Sequence, residues 1–283
     1  MFASPGPVLY DLGELLGLQW SLPLRWYGVL IGLGLVAAYL LVHSHPAIKA
    51  YFDKEEKNSL FIDWVTWTFL GGIIGARLWF VILNAPYYLN NLQESFFIWE
   101  GGQSIQGGIV GGVVASLIFR KIYKQHLPSW LWTADKAVAG LALGQAIGRW
   151  GNFFNSEAFG KPTDLPWGFY VPLADRPIEY AEYELFQPTF AYESIFLVIL
   201  SFALYRVSLL KDIPEGLNFC LYLFVYSLGR FFLEFQRTDS LMIGYFPAAQ
   251  VICSLSMLLS LVMAVVLFRQ SAHPIKQAIE KYE

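Results

Sequence analysis

The run LNFCLYLFVYSLGRFFLEF, residues 217–235, decides the fold class. It is about as long as the apolar thickness of a bilayer, which takes roughly 20 mainly apolar residues in helical form. Its only charges are Arg230 and Glu234. Runs of the same kind lie at 26–42, 61–83, 107–123, 130–147, 190–207 and 242–268. The third and fourth of the seven are glycine-rich, and one of them is open to a re-entrant reading, so the runs count as six or seven spans. In lipid every backbone N–H and C=O must be paired within the protein, which makes helices the form for runs of this length.

Composition agrees. Hydrophobic residues are 56% of the 283 and charged residues 14%, against roughly 25% charged in soluble domains. A net charge of −3 offers no basic field for nucleic acid. Cys220 and Cys253 sit in apolar runs and read as packing residues, which excludes a disulfide framework or a CxxC zinc site. No His/Cys/Asp/Glu cluster has metal-ligand spacing, so neither a metal nor a cofactor is expected. Residues 1–24 contain Asp11 and Glu14 but no Lys or Arg. They do not read as a secretory signal, and are expected to form a short segment lying on the membrane surface.

The loops set an orientation. Lys49, Lys54 and Lys57 follow the first span, and Arg120, Lys121 and Lys124 follow the third. Arg206 and Lys211 follow the fifth, and Arg269, Lys276 and Lys281 the last, whereas 84–103 has no Lys or Arg. The positive-inside rule then places the N-terminus outside and the C-terminus in the cytoplasm. That parity needs an odd number of spans and favours seven. The expected fold is an all-α polytopic membrane protein of about seven transmembrane helices with a small extracytoplasmic head. Its parts are an N-terminal segment 1–24, spans one to four over 25–149, a loop and head over 150–188, spans five to seven over 189–268, and a tail 269–283. The head is proline- and acid-rich at 161–188, with a short strand expected over 167–171. Small residues four apart, such as Gly71 and Gly75 or Gly140 and Gly144, predict close helix packing; Gly28 and Gly32 have the same spacing.

Ionisable side chains within spans are costly and point to function. Arg77, Asp135, Lys136, Arg149, Glu193, Arg230 and Glu234 are of this kind. At helical spacing Tyr226, Arg230, Glu234 and Arg237 share one face. Two cations against one anion there suggest an anionic guest such as phosphate, which arginine grips bidentately. A salt-bridge network with Glu193 or Glu157 is the other reading, and both can hold together. Arg149 and Asn152, three apart, point the same way on a helical turn. The stretch 100–108 is glycine-rich but lacks the lysine of a Walker phosphate loop.

The stretch Gly148-Arg149-Trp150-Gly151-Asn152-Phe153-Phe154-Asn155-Ser156-Glu157 closely resembles the signature of the prolipoprotein diacylglyceryl transferases. Four further islands fall in family order: Arg25-Trp26-Tyr27-Gly28, Gly75-Ala76-Arg77-Leu78, Pro188-Thr189-Phe190-Ala191-Tyr192-Glu193, and the run from Gly229 to Arg237. The resemblance implies a seven-span enzyme of the bacterial inner membrane. It implies transfer of the diacylglyceryl group of phosphatidylglycerol to the lipobox cysteine of a prolipoprotein signal peptide, with release of glycerol phosphate. Family roles fall on Tyr27, Arg149, Asn152, Glu157, Gly160, Glu193, Arg230, Glu234 and Arg237. Arg149 and Arg230 are expected to clamp the leaving phosphate, with Arg237, Asn152, Gly160 and Gln106 at the substrate and Tyr27 and Glu157 in the chemistry. Glu193, Glu234 and Arg77 are expected to support them.

One position departs from the family. A histidine is usual where this chain reads Ser104-Ile105-Gln106-Gly107-Gly108, and Gln106 takes no proton at neutral pH. A histidine base at that position is therefore excluded. Two other classes stay open: a non-catalytic lipid binder or inactive relative, and a transporter. The second should show internal repeats or paired broken helices, and the sequence shows neither.

Overall fold

The computed structural model describes residues 2–17, 21–53, 57–98, 101–210, 213–238 and 240–280. Lys54, Glu100, Lys211 and Lys281, used in the sequence reading, lie outside them. In chain order the elements are β1 (Phe2–Ala3), β2 (Val8–Asp11), α1 (Leu12–Leu15), β3 (Pro23–Arg25), α2 (Trp26–Ser44), α3 (Pro46–Phe52), α4 (Lys57–Leu83), α5 (Ala85–Tyr88) and α6 (Ile105–Ile122). They continue as α7 (Trp130–Gly148), α8 (Trp150–Phe154), β4 (Phe169–Tyr170), β5 (Leu185–Phe186), α9 (Thr189–Ser208), α10 (Leu217–Glu234), β6 (Met242–Ile243), β7 (Phe246–Pro247) and α11 (Ala248–Glu280).

Among the described residues six helices are long and apolar enough to cross a bilayer: α2, α4, α6, α9, α10 and α11. The chain is a mostly helical, multi-pass membrane protein. α7 fills the expected fourth span but is less apolar, because Thr133, Asp135, Lys136 and Gln145 lie within it. Two boundaries differ from the sequence reading. Residues 242–247 form a hairpin, not the start of the last span, because Gly244 at φ +60° turns the chain. The expected tail continues α11 as helix to Glu280.

The chain divides into two compact units, Ser44–Pro128 and the remainder, Met1–His43 with Ser129–Glu283. In the first, α4 lies along α6 with glycines at the contact. A Cβ added at Gly75 would sit 2.6 Å from the Gly111 Cα, so only bare backbone permits this approach. Trp64 Nε1 donates to Ser116 Oγ at 2.9 Å. Ser104 caps α6 by accepting from the Gly107 N–H.

In the second unit α7 is central. Val138, Ala142, Leu197, Leu204 and Tyr222 form its core with α9 and α10. α2 closes on α7 where a Cβ at Gly34 would meet the Gly144 carbonyl at 2.9 Å. Among the described residues a Cβ added at Gly28 or Gly32 would meet nothing within 4 Å, so the same spacing marks no close approach there. Ser201 Oγ donates to the Ala139 carbonyl at 2.7 Å and ties α9 to α7.

Asp135 is buried on α7 and accepts from the backbone N–H groups of Gly216 (2.7 Å) and Phe219 (2.8 Å). It therefore caps α10 from a neighbouring helix, answering two donors that a helix start leaves unpaired. The same unit holds an aromatic core of Phe153, Phe159, Phe169, Phe186 and Phe190. β1 pairs parallel to β4, which pairs antiparallel to β5. Phe2 thereby stacks on Phe153 at 4.9 Å. In the N-terminal segment β2 and β3 form an antiparallel pair around α1. The segment exposes Val8, Leu9, Tyr10, Leu15 and Leu16.

Candidate active site

Eight of the candidate residues gather where α7 passes into α8 and meets the start of α9 and the end of α10: Arg149, Asn152, Glu157, Gly160, Glu193, Arg230, Glu234 and Arg237. Tyr27, at the start of α2, joins them through Gly151. α7 ends at Gly148, and the Arg149 N–H still bonds the Gln145 carbonyl at 3.0 Å, so the chain runs almost unbroken into α8. This holds Arg149 at a fixed helical position. Its Nη2 lies 2.5 Å from Glu193 Oε1, with 24% of the Arg149 side chain and 5% of the Glu193 side chain exposed. The Tyr226 hydroxyl is within hydrogen-bonding reach of the same guanidinium. Trp150 Nε1 donates to Ser194 Oγ at 3.1 Å, and Ser194 Oγ donates to the Ala146 carbonyl at 2.9 Å. These two bonds seat the α7–α8 junction on α9.

The second ion pair lies within α10. Arg230 Nη2 meets Glu234 Oε2 at 2.7 Å, four residues on, and both side chains are largely buried. Arg230 Nη1 is buried with no hydrogen-bond partner among the described residues. Each arginine thus has its own carboxylate. The expected surplus of positive charge on one helix face is not what the backbone gives. α10 ends at Glu234, and Arg237 lies past it in a short antiparallel bridge to Gly160. Gly160 N–H donates to the Gln187 carbonyl at 2.8 Å. A Cβ at Gly160 would sit 2.8 Å from Thr189 Cγ2 and 3.0 Å from the Gln236 carbonyl, so the bridge requires glycine.

The loop after α8 presents Glu157. Asn152 Nδ2 and Asn155 Nδ2 both donate to Glu157 Oε1, at 2.9 and 3.2 Å. Ser156 (φ +51°) and Ala158 (φ +56°) flank it in the left-handed region, which non-glycine residues enter at a cost of about 1–3 kcal/mol. The paired asparagines and the Thr189 Oγ1 bond to the Ala158 carbonyl at 2.5 Å hold that geometry. Glu157 itself is exposed. The Tyr27 ring covers Gly151, where a Cβ would meet its Cε2 at 2.9 Å. From there Tyr27 lies within electrostatic reach of Glu157 and Arg149.

Arg77 and Gln106 belong to the other unit. Arg77 is buried on α4 and spends its donors on backbone carbonyls: Nε on Ser95 (2.9 Å), Nη1 on Gly101 and Gly102 (2.7 and 2.9 Å), and Nη2 on Glu94 (2.5 Å). It pins the segment that leads into α6. Ser104 Oγ donates to Gln106 Oε1 at 2.7 Å, just before α6 turns its first residues.

Sequence reasoning missed Tyr222 and Gln145, which extend the polar cluster inward. Tyr222 OH donates to Gln145 Oε1 at 3.0 Å, and its ring stacks on Tyr226 at 5.7 Å. Their four-residue spacing on α10 was the available signal. Cys253, read as packing, is buried, but its thiol lies within electrostatic reach of Arg230, Glu234 and Glu193.

The chain is similar to a protein of Synechococcus elongatus named phosphatidylglycerol–prolipoprotein diacylglyceryl transferase, with 43% identity over 89% of this chain and 83% of the relative. A protein of that name from Acaryochloris marina is 42% identical over 89% of this chain and 87% of its own. Another from Gloeobacter violaceus is 38% identical over 96% of both. A model of the family described as prolipoprotein diacylglyceryl transferase matches residues 15–266. Carrying the buried arginine–glutamate pairs and the Glu157 loop within that match, the chain belongs to the prolipoprotein diacylglyceryl transferase family.

Proposed function

We propose that this chain transfers the diacylglyceryl group of phosphatidylglycerol to the lipobox cysteine of a prolipoprotein. Sulfur forms a bond to the glycerol carbon that bears the phosphodiester, the C–O bond breaks, and glycerol phosphate leaves. The observation that carries the reading is a pair of partly buried guanidinium groups held by buried carboxylates, with Arg230 Nη1 an unpaired donor among the described residues. Glu193 and Glu234 neutralise the resting site. The leaving phosphate gains about one negative charge as the C–O bond breaks. Donors already aimed at the place where that charge develops stabilise the transition state more than the ground state. Arg149 and Arg230 take this role, and Arg237 helps hold the headgroup.

The substrate brings the nucleophile, so no catalytic cysteine or serine–histidine pair is needed. A free thiol has a pKa near 8.5, and cations beside it lower that value. Two groups can take its proton: Glu157 and the released phosphate. Tyr27 and Asn152 bond glycerol or ester oxygens, and Gly160 allows the Arg237 strand to close on the site. Arg77 supports by fixing the segment before α6.

With α7 counted, seven helices span the inner membrane of a bacterium, the N-terminus and a head over 150–188 lying outside and the C-terminus in the cytoplasm. The Lys and Arg bias of the loops supports this orientation. The test incubates purified protein with phosphatidylglycerol and a lipobox peptide. A thioether-linked diacylglyceryl peptide, found by mass spectrometry, is expected from wild type and absent with Arg149→Ala or Arg230→Ala. Lipid binding without that product would instead assign a non-catalytic relative.

A further inference from the structure

Gln250 lies in the first turn of α11, outside every role described above. It is 9% exposed, and its Nε2 is buried without a hydrogen-bond partner among the described residues. A buried amide donor left unpaired is costly, and such groups are rare in folded proteins. Cys253 follows three residues later, so the two share a face of α11. α11 packs along α10, and Cys253 on this face is buried within electrostatic reach of Arg230, Glu234 and Glu193. α11 returns along α10 after the 242–247 hairpin, so stepping back from Cys253 to Gln250 moves toward the Glu234 end of α10.

Among the described residues two donors in this region lack acceptors: Gln250 Nε2 and Arg230 Nη1. The acceptors are in a different condition. Glu193 Oε1 and Glu234 Oε2 make no well-angled hydrogen bond, yet each lies in ion-pair contact with its arginine, at 2.5 and 2.7 Å. What the region needs is acceptor oxygen, and one of the waiting donors is a cation. A phosphodiester has oxygens that only accept, and it carries the matching charge.

We propose that Gln250 binds the lipid substrate, its side-chain amide donating to a phosphodiester oxygen of the glycerophospholipid headgroup whose other oxygens meet Arg230. The proposal rests on the transfer reading only for the identity of the lipid.

The test uses the full chain in detergent with mixed micelles of phosphatidylglycerol and a lipobox peptide. Gln250→Leu keeps the bulk and removes the donor; Gln250→Glu places a negative charge against the anion. The KM for phosphatidylglycerol should rise about tenfold in the first and further in the second, as for a lost hydrogen bond to a charged group. The KM for the peptide should stay within about twofold, a split that a loss of packing would not produce. Phosphatidylglycerol binding, read by native mass spectrometry without turnover, should fall in parallel. An unchanged lipid KM, or equal rises for lipid and peptide, overturns the proposal and leaves the amide to water or to Glu234. If Gln250→Leu does not fold, Gln250→Asn, which draws the amide back by one methylene, should still weaken lipid binding; unweakened binding overturns the proposal. If wild type forms no product, the transfer reading falls, while the binding comparison still decides the role of Gln250.

Discussion

Deleting Arg149 alone confounds two effects, and the structure shows how to separate them. Arg149→Ala leaves the Glu193 carboxylate with 5% of its side chain exposed and no partner. Breaking a buried pair in this way costs roughly 3–5 kcal/mol of stability. The lower end applies, because Arg149 keeps 24% of its side chain exposed and the pair is only partly enclosed by protein. Loss of a preorganised donor at a developing charge lowers the rate about 100- to 1,000-fold. The double variant Arg149→Ala/Glu193→Gln removes both charges and buries a neutral amide instead. At least about half of the lost stability should return, since the uncompensated charge is gone. The rate should not return. Thermal unfolding in detergent reads the first quantity, and initial rates of thioether formation per folded molecule read the second. Arg149→Lys sharpens the comparison by keeping the charge and losing the planar fork, and it should remain well below wild type. Recovery of transfer in the double variant, or full activity in Arg149→Lys, would refute a direct role for this guanidinium.

Other perturbations have equally definite outcomes. Phe169→Ala empties a fully buried position among five aromatic rings and should cost about 3–5 kcal/mol, read by thermal unfolding. Arg77→Lys cannot serve the carbonyls of Glu94, Ser95, Gly101 and Gly102 together, and should destabilise by roughly 2–4 kcal/mol and speed proteolysis of the segment before α6. The Ser21 hydroxyl first, then the Leu22 and Gly13 N–H groups, hold the Asp11 carboxyl below its ordinary value. Its folded pKa is depressed, so its contribution is complete above about pH 3.9 and is lost as pH falls through the lower folded value. Amide protection in β2 and β3, taken relative to the intrinsic exchange rate at each pH, should therefore fall only in acid, and a loss near neutrality would contradict this. Turnover should show no inflection near pH 6.5 that disappears on replacing a histidine, because Gln106 does not titrate.

The membrane fold is legible because a bilayer imposes a length, and runs such as 217–235 meet it without ambiguity. The glycine contacts are legible in part. Gly75 and Gly140 pack as their spacing suggests, but spacing alone does not show that Gly28 and Gly32 mark no close approach among the described residues. The two-residue strands have no periodicity to read, so the pairing of β1 with β4 and the 242–247 hairpin emerge only in three dimensions. The candidate residues were readable as a set, but not their partners. Arg237 seemed to share the face of Arg230 because helical offsets were extended past Glu234, where the helix stops. Asp135 and Arg77 carried the same signal as the site arginines, a charge in an apolar run. Their partners are backbone groups of distant segments, which no local pattern encodes.

The hold of Asp135 on the beginning of α10 constrains how that helix can move. Sliding α10 along α7 would break the bonds from Gly216 and Phe219 together and strand a carboxylate in an apolar interior. Swinging the far end leaves both intact. A movement of α10 that keeps these bonds is therefore a pivot about its Gly216 end, and it displaces the Arg230 and Glu234 end furthest.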